Sequence, residues 1–439
     1  MLESLYTADE MRTAEEGHDA ALLMERAGAA VAREVIARYP GARRIAVVCG
    51  GGANGGDGRI AARILREEGR DAVETNAVEQ ADVVVDALFG TGFHGEPRAE
   101  AAATIERINA AGAPVVAVDV PSGVDASTGE APAAAVRAEV TIAFHGMKVG
   151  LAVAPGLFHA GHVVLADIGL ARAGTRNRLV TPAVLAVVPR RRAHDNKYTA
   201  GAVLVAGGAR GMTGAVCLAA EASLRADAGY VAVAVPEPSL PVVEARLLEP
   251  VKVTWSAAAG AAAKVQVLAI GPGLGRDPDA RRLRDELLQA GAHALVLDAD
   301  ALHDLEPGEW GARAVLTPHA GELARLLGRE SAWVDRHRLE AAQLAAERFA
   351  CVCLLKGADT IVASPGAGAL VCVAEAPGLA TAGTGDVLTG IVAAFLAKGV
   401  EPRLAAAAAA TAHALAARRL PQPGLVAGDV VAALPSVLA

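Results

Sequence analysis

One arrangement recurs along this chain and restricts its fold more than anything else. A short apolar run rich in β-branched residues leads into a turn of glycine and small polar residues, and an apolar pattern at helical spacing follows. Ile45-Ala46-Val47-Val48-Cys49 runs into Gly50-Gly51-Gly52-Ala53-Asn54-Gly55-Gly56-Asp57-Gly58, and helical spacing resumes over 59–68. Residues 83–89 lead into Gly90-Thr91-Gly92-Phe93-His94-Gly95, and 115–119 into Val120-Pro121-Ser122-Gly123. After a charge-rich junction at 171–196 the arrangement returns in the runs 202–206, 230–235, 265–270, 294–297, 314–316 and 351–355. Strands alternating with helices predict parallel sheets and an α/β chain. Such sheets bind ligands beyond the carboxyl ends of their strands, so the polar residues of these turns are the functional candidates.

A chain of 439 residues has room for two or three domains, each with its own core, and two are expected. With 53% hydrophobic but only 3% aromatic residues, those cores are built from Ala, Val and Leu, which suits α/β layers. The net charge of −8 provides no field for nucleic acid or an anionic membrane, so a small molecule is the expected partner. Cys49, Cys217, Cys351, Cys353 and Cys372 all stand in apolar runs, as reduced core thiols of a cytoplasmic protein do. The N-terminus lacks the basic and apolar regions of a signal peptide. The alanine-rich stretch 404–417 is too short to span a bilayer and reads as a soluble helix.

In the first half, Gly50, Gly52 and Gly55 match Gly-x-Gly-x-x-Gly, with Asp71 near the spacing of a ribose-binding acid, which would suit an NAD-dependent dehydrogenase. That fold does not need the polar Asn54 and Asp57 in the turn. Asn54, Asp86 and Ser122 come from three turns that a parallel sheet would bring together. Their hard oxygens favour an alkali or alkaline-earth ion over zinc. Taken singly, Asp86 and Asp119 read as strand-end residues that cap a turn. Lys148 follows a further strand end at 141–144; most lysines are simply solvated.

In the second half, Gly383-Thr384-Gly385-Asp386 precedes an apolar helical pattern at Val387, Leu388, Ile391, Val392 and Phe395. Bare amides at a helix start can hold a phosphate, and Asp386 would stand beside it as a base; the alternative is a helix cap. No Gly-x-x-x-x-Gly-Lys-Ser/Thr occurs. His319-x-x-Glu322 has metal-ligand spacing without a third ligand, so a polar substrate contact is favoured over zinc. Asp298-x-Asp300 suits either a magnesium site or a structural strand end. Lys356-Gly357 suits either an ammonium beside a nucleotide phosphate or a lysine at a turn.

Together these motifs resemble a known family. Residues 1–173 look like the NAD(P)HX epimerase domain through Asn54-Gly55-Gly56-Asp57-Gly58, Asp86-Ala87-Leu88-Phe89-Gly90-Thr91-Gly92 and Asp119-Val120-Pro121-Ser122-Gly123. Residues 185–439 resemble the ribokinase-like NAD(P)HX dehydratase through Gly271-Pro272-Gly273-Leu274-Gly275, Thr317-Pro318-His319-Ala320-Gly321-Glu322, Lys356-Gly357-Ala358-Asp359-Thr360 and Gly383-Thr384-Gly385-Asp386. The resemblance implies an N-terminal Rossmann-like three-layer domain followed by a ribokinase-like α/β domain. It also implies repair of hydrated NADH and NADPH, in which the first domain exchanges R and S epimers and the second dehydrates the S form at the expense of ADP, with ATP as the alternative nucleotide and Mg2+ accompanying it.

By the same resemblance, Asp386 is the base. Lys356, Gly357, Ala358, Asp359, Thr360 and Gly385 contact the AMP portion, and Ala215, Gly273, His319 and Asp386 the hydrated dinucleotide. In the first domain Asn54, Asp86 and Ser122 would bind K+. The hydrate would meet Ala53, Asn54, Gly55, Gly56 and Asp57, then Gly90, Thr91, Gly92, Phe93, His94, Gly95 and Glu96, and Asp119. Asp119 and Lys148 are the candidates for proton transfer at the hydrated carbon. A homo-oligomer is expected. Ala53 departs from the family's usual asparagine and Asp227 from its usual glycine. The nearest rival is a ribokinase-like small-molecule kinase whose N-terminal part is a non-catalytic binding module.

Overall fold

The computed structural model describes residues 1–171, 173–291 and 293–439. They divide into two compact units, one of Ser4–Arg178 with Asp335–Leu339, the other of Met1–Glu3, Leu179–Val334 and Glu340–Ala439.

In the first unit, six parallel strands lie in the order Asp71–Glu74, Arg44–Cys49, Val83–Ala87, Val115–Val118, Val140–Phe144 and His162–Ala166. Successive side chains on a strand point to opposite faces, and both faces are covered here. Ile45, Val47, Val83 and Val85 pack against Val31 and Val35 of the Ala20–Arg38 helix and Leu65 of the Ala53–Glu67 helix. Ala46, Val48 and Val84 pack against Ile105 and Ile108 of the Ala99–Ala110 helix. The result is three layers around a sheet buried on both sides, which is why its strands read as unbroken apolar runs. From Arg44–Cys49 the chain passes through the Ala53–Glu67 helix to the Asp71–Glu74 strand, and from Val83–Ala87 through the Ala99–Ala110 helix to Val115–Val118 on the other side. The crevice of this strand order opens between Arg44–Cys49 and Val83–Ala87.

The second unit is built likewise. Its strands follow the order Val251–Thr254, Tyr230–Val235, Ala202–Ala206, Val267–Ile270, Ala294–Leu297, Ala314–Leu316, Val352–Leu355, Asp359–Ala363 and Leu370–Val373. The first seven are parallel, and the last two join antiparallel. The order reverses between Ala202–Ala206 and Val267–Ile270, which sets a second crevice there. One face carries the helices Thr213–Arg225, Thr384–Ala397, Pro402–Arg418 and Ala427–Leu438. Ala405 to Ala410 are all buried in this core, where small side chains let helices approach closely. Among the described residues no helix is long and apolar enough to cross a membrane.

Candidate active sites

At the first crevice the helix begins sooner than the glycine pattern predicts. It opens at Ala53, with Gly52 as its N-cap, so Asn54 and Asp57 occupy its first turns instead of a loop. Glycine is a poor helix former, yet space demands it here. A β-carbon on Gly58 would stand 2.5 Å from that of Ala87.

Asn54, Asp86 and Ser122 are brought together around the backbone of Phe89. Asn54 Nδ2 donates to the Phe89 carbonyl at 2.8 Å, and the Phe89 N–H donates to Ser122 Oγ at 2.8 Å. Ser122 in turn donates to Asp86 from Oγ at 2.6 Å and from its backbone N–H at 2.8 Å. Asp86 has no exposed surface, and burial pushes its carboxyl up to about 6 against the hydrogen bonds of Ser122 and Leu88. None of the hydrogen bonds to Asp86 among the described residues comes from a lysine or arginine. A buried carboxylate without a basic partner, a hydroxyl, an amide oxygen and a carbonyl in one place form a donor set that fits an alkali cation.

Asp119 follows the Val115–Val118 strand in the left-handed backbone region, φ 66°. Its Oδ1 accepts the Phe144 N–H at 3.2 Å and an ion-paired hydrogen bond from Lys148. Lys148 Nζ also donates to the Phe144 carbonyl at 2.8 Å, and the residue has no exposed surface. Asp57 is pushed up to about 8, by burial first and then by the negative charges of Asp119 and Glu15. At neutral pH the Asp57 carboxyl therefore holds its proton. Along the 90–96 loop, Phe93 stacks on Phe89 at 5.0 Å and His94 Nδ1 pairs with Asp125 at 2.7 Å; Gly92, His94, Gly95 and Glu96 are exposed.

At the second crevice the loops 207–214 and 271–275 are stitched by Gly208 N–H to the Pro272 carbonyl at 3.0 Å and Ala209 N–H to the Gly273 carbonyl at 2.7 Å. Gly273 faces Ala215, since a β-carbon built on it would lie 3.2 Å from the Ala215 Cβ. The Thr384–Ala397 helix starts from Gly383 at φ 91° with no side chain capping it. The Thr384 N–H bonds the Thr381 carbonyl at 3.4 Å, which leaves the Gly385 and Asp386 amides to an anion. Asp386, third in this helix, is half-buried and pushed up to about 7. Burial is the main cause, followed by Asp298; Lys356 works the other way, and Asp300 and Glu322 add to the rise.

Lys356 Nζ is 2.8 Å from Asp298 Oδ1 and 3.8 Å from Glu322 Oε2. It lies 3.4 Å from the point where a β-carbon on Gly385 would stand. Burial opposes the charge of Lys356, but the two carboxylates outweigh it and raise its pKa. His319 and Glu322 close a capping box: His319 Nδ1 accepts the Gly321 N–H at 3.0 Å, and Glu322 Oε2 the His319 N–H at 2.8 Å. Their spacing is thus that of a helix start. Asp298 accepts from Lys356 and, at 2.7 Å, from Thr389 Oγ1. Asp300 accepts the Gly275 N–H at 3.0 Å and pairs with Arg276 at 2.8 Å.

The sequence profile of the NAD(P)H-hydrate dehydratase family matches residues 203–434, more than half of the chain, and that of the YjeF-related protein N-terminus matches 20–76 and 67–150. A bifunctional NAD(P)H-hydrate repair enzyme of Moorella thermoacetica is 38% identical over 95% of this chain and 92% of its own length. The chain belongs to the bifunctional NAD(P)H-hydrate repair enzymes. The Escherichia coli member is 34% identical over 95% of this chain and 89% of its own length. Among solved structures, an ADP/ATP-dependent NAD(P)H-hydrate dehydratase from Bacillus subtilis, co-crystallised with ATP and Mg2+, superposes with a TM-score of 0.54. It is 29% identical and covers 58% of this chain and 96% of its own. A ribokinase-like superfamily protein from Enterococcus faecalis, 24% identical with a TM-score of 0.55 over 61% of this chain and 97% of its own, shares the fold.

Within this repair-enzyme chain the Asp227 departure has a structural account. Asp227 takes φ 70°, a backbone glycine adopts freely, and its carboxylate is held by Lys398 at 2.8 Å and Arg191 at 2.9 Å. Ala53 is the exposed first residue of its helix. Asp71 opens its strand level with Arg44, at the sheet edge opposite the glycine turn that follows Cys49, so it is not placed for the ribose of a dinucleotide. Three contributors lie outside the expected site residues: Glu15 beside Asp57 and Asp119, the Phe89 carbonyl, and Thr389. Thr389 alone leaves a trace, as a polar residue in an otherwise apolar stretch one turn after Asp386.

Proposed function

We propose that the Asp386 carboxylate, beside the uncapped Gly383–Gly385 helix start and Lys356, drives nucleotide-dependent dehydration of S-NAD(P)HX, and that the N-terminal site exchanges its R and S epimers. The observation that carries this reading is that half-buried Asp386, pushed up to about 7, stands in the first turn of a helix whose amides no side chain caps. A base with a pKa near neutrality beside an anion-holding helix end suits phosphoryl transfer from a nucleotide to a hydroxyl.

In the proposed step, Asp386 takes the proton of the hydrate's hydroxyl as that oxygen attacks the terminal phosphorus of ADP. The P–O bond to the leaving AMP breaks while the amides of Gly385 and Asp386 hold the transferring group. The carbon–oxygen bond of the phosphorylated hydrate then breaks, pushed by the ring nitrogen lone pair. A proton leaves the neighbouring ring carbon, and phosphate departs. Lys356, Gly357, Ala358, Asp359, Thr360 and Gly385 contact the AMP portion, while Ala215, Gly273 and His319 hold the dinucleotide. ADP is the proposed nucleotide and Mg2+ its companion; the B. subtilis relative, co-crystallised with ATP and Mg2+, supports nucleotide use in this fold.

In the N-terminal site, proposed within residues 1–173 as the dehydratase is within 185–439, Asn54, Asp86 and Ser122 hold K+. When bound, that ion supplies the positive charge that Asp86 lacks. Asp119 touches the hydrate directly, and Lys148, enclosed by protein, holds Asp119 in place through its ion pair. The test is to mix purified protein with hydrated NADH and either nucleotide, then follow recovery of reduced-nicotinamide absorbance and free phosphate. No recovery with either nucleotide overturns the reading. Phosphate left on the product would mark a kinase.

A further inference from the structure

We infer that Thr389 and Asp298 form a buried positioning relay that fixes Lys356 over the phosphoryl-holding helix start, and that dehydration depends on it although neither residue meets the reacting atoms. The inference rests on the dehydratase reading above and goes beyond its site residues.

Asp298 ends the Ala294–Leu297 strand and is 2% exposed; Thr389 has no exposed surface. A buried hydroxyl is unfavourable unless it is bonded. Polar residues inside helices usually return their hydroxyl to the carbonyl one turn back. Thr411 does so to Ala407 at 2.9 Å, and Ser223 to Ala219 at 2.9 Å. Thr389 instead reaches out of its helix to Asp298 Oδ2 at 2.7 Å, and the other oxygen of that carboxylate takes Lys356 Nζ at 2.8 Å. One carboxylate therefore joins three elements: its own strand end, the strand end that carries Lys356, and the helix that carries Asp386.

Position along the helix gives the join its meaning. Thr389 is three residues after Asp386, so the two project from one face about a turn apart. The helix that presents the base thus also carries the anchor of the ammonium. Without the anchor, Asp298 would have one of its two side-chain partners fewer, and the carboxylate that holds the flexible lysine would itself be less firmly fixed. The charged groups facing Asp386 are Asp298, Lys356, Asp300 and Glu322, so a displaced Lys356 alters the field at the base as well.

The test compares Thr389→Val, which keeps the shape and deletes the hydroxyl, with Thr389→Ser, which restores it, in the full-length protein. Thr389→Val is expected to lower kcat for dehydration by about 10- to 100-fold, the scale of a slightly misplaced catalytic group. It should also shift the limb of the pH profile that reports Asp386. Thr389→Ser should recover most of both, and epimer exchange should stay at the wild-type rate throughout. Should Thr389→Val fail to fold, Asp298→Asn takes the same measurements, with the same losses expected. A folded Thr389→Val with wild-type kcat and pH limb overturns the relay. So does equal impairment of the Val and Ser variants, which would mark packing alone. A wild-type protein unable to dehydrate hydrated NADH overturns the functional reading instead, and the relay with it.

Discussion

Ser122 grips Asp86 twice, its hydroxyl on one carboxylate oxygen at 2.6 Å and its backbone N–H on the other at 2.8 Å, within a shell that leaves Asp86 no exposed surface. Burial raises this carboxyl from 3.8 to about 6. A folded state that holds the proton more tightly than the unfolded chain loses stability as pH rises from roughly 4 to 6. A cation bound at Asn54, Asp86 and Ser122 would offset that loss by binding only the folded form. We therefore expect K+, against choline at equal ionic strength, to raise stability at pH 7 by about 1–3 kcal/mol, weakening below pH 6. Thermal unfolding with and without K+ checks this, and Asp86→Asn should remove the K+ effect.

The Asp386 carboxyl governs the other half of the molecule. It is raised to about 7, and it works as a base only when ionised. Dehydration kcat/KM should accordingly rise with pH and level off above about 7. Asp386→Asn should lower kcat by roughly 10²- to 10⁴-fold, the worth of a general base. Epimer exchange should remain, since its residues lie in the other unit. Lys356→Met should move the limb to higher pH, because Lys356 is what holds this carboxyl down. Steady-state rates across pH decide all three.

Strand ends are legible in this sequence because a parallel strand covered on both faces must be continuously apolar, and the polar turn after it can only lie at a sheet edge. That reading puts Asp86, Ser122 and Gly273 at or just after strand ends and Asp386 at a helix start, which is where they lie in the fold. Partners are another matter. His319 and Glu322 have a ligand's spacing, yet they spend their hydrogen bonds closing a helix start. Asp298 carries no local mark of being tied to Thr389, 91 residues away. The start of the Ala53–Glu67 helix is hidden because its glycines answer to neighbours distant in sequence, such as Ala87 beside Gly58, and not to helix propensity.

Asp57 should give the proposed epimerase site its own pH signature. Burial, Asp119 and Glu15 raise it to about 8, so at neutral pH it is a carboxylic acid, and the neighbouring Asp119 is hydrogen-bonded to Lys148. An acid held in that form can give and recover a proton at the hydrated carbon. Epimer exchange should fall as pH passes upward through about 8. Asp57→Asn, which keeps the shape but cannot ionise, should slow exchange by about 10²-fold or more and abolish that limb. Exchange rates of the separated R and S hydrates across pH supply the measurement; a variant at wild-type speed would leave Asp57 with no part in the chemistry.

The spacing of two helices carries the last prediction. Gly390, midway along Thr384–Ala397, meets the Thr213–Arg225 helix so closely that a β-carbon would stand 2.2 Å from the Ala219 carbonyl oxygen and 2.9 Å from the Ala222 Cβ. Ser223 Oγ bonds both backbones there, to Ala219 at 2.9 Å and Gly390 at 3.0 Å. Gly390→Ala gains about 1 kcal/mol of helix propensity. It also forces backbone atoms apart, and overpacking of that kind costs about 1–3 kcal/mol or more. The clash is with a main-chain oxygen that cannot rotate away, so the cost should win and the protein should lose about 1–2 kcal/mol net. Gly428→Ala, at an exposed helical glycine with nothing within 4 Å, should instead be neutral or stabilising. Because the two helices present Ala215 and Asp386 from their first turns, separating them should also slow dehydration while epimer exchange persists. Denaturant unfolding of the two variants, with both activities assayed, tests this, and a Gly390→Ala protein as stable and active as wild type would show that close helix packing is not what sets the second crevice.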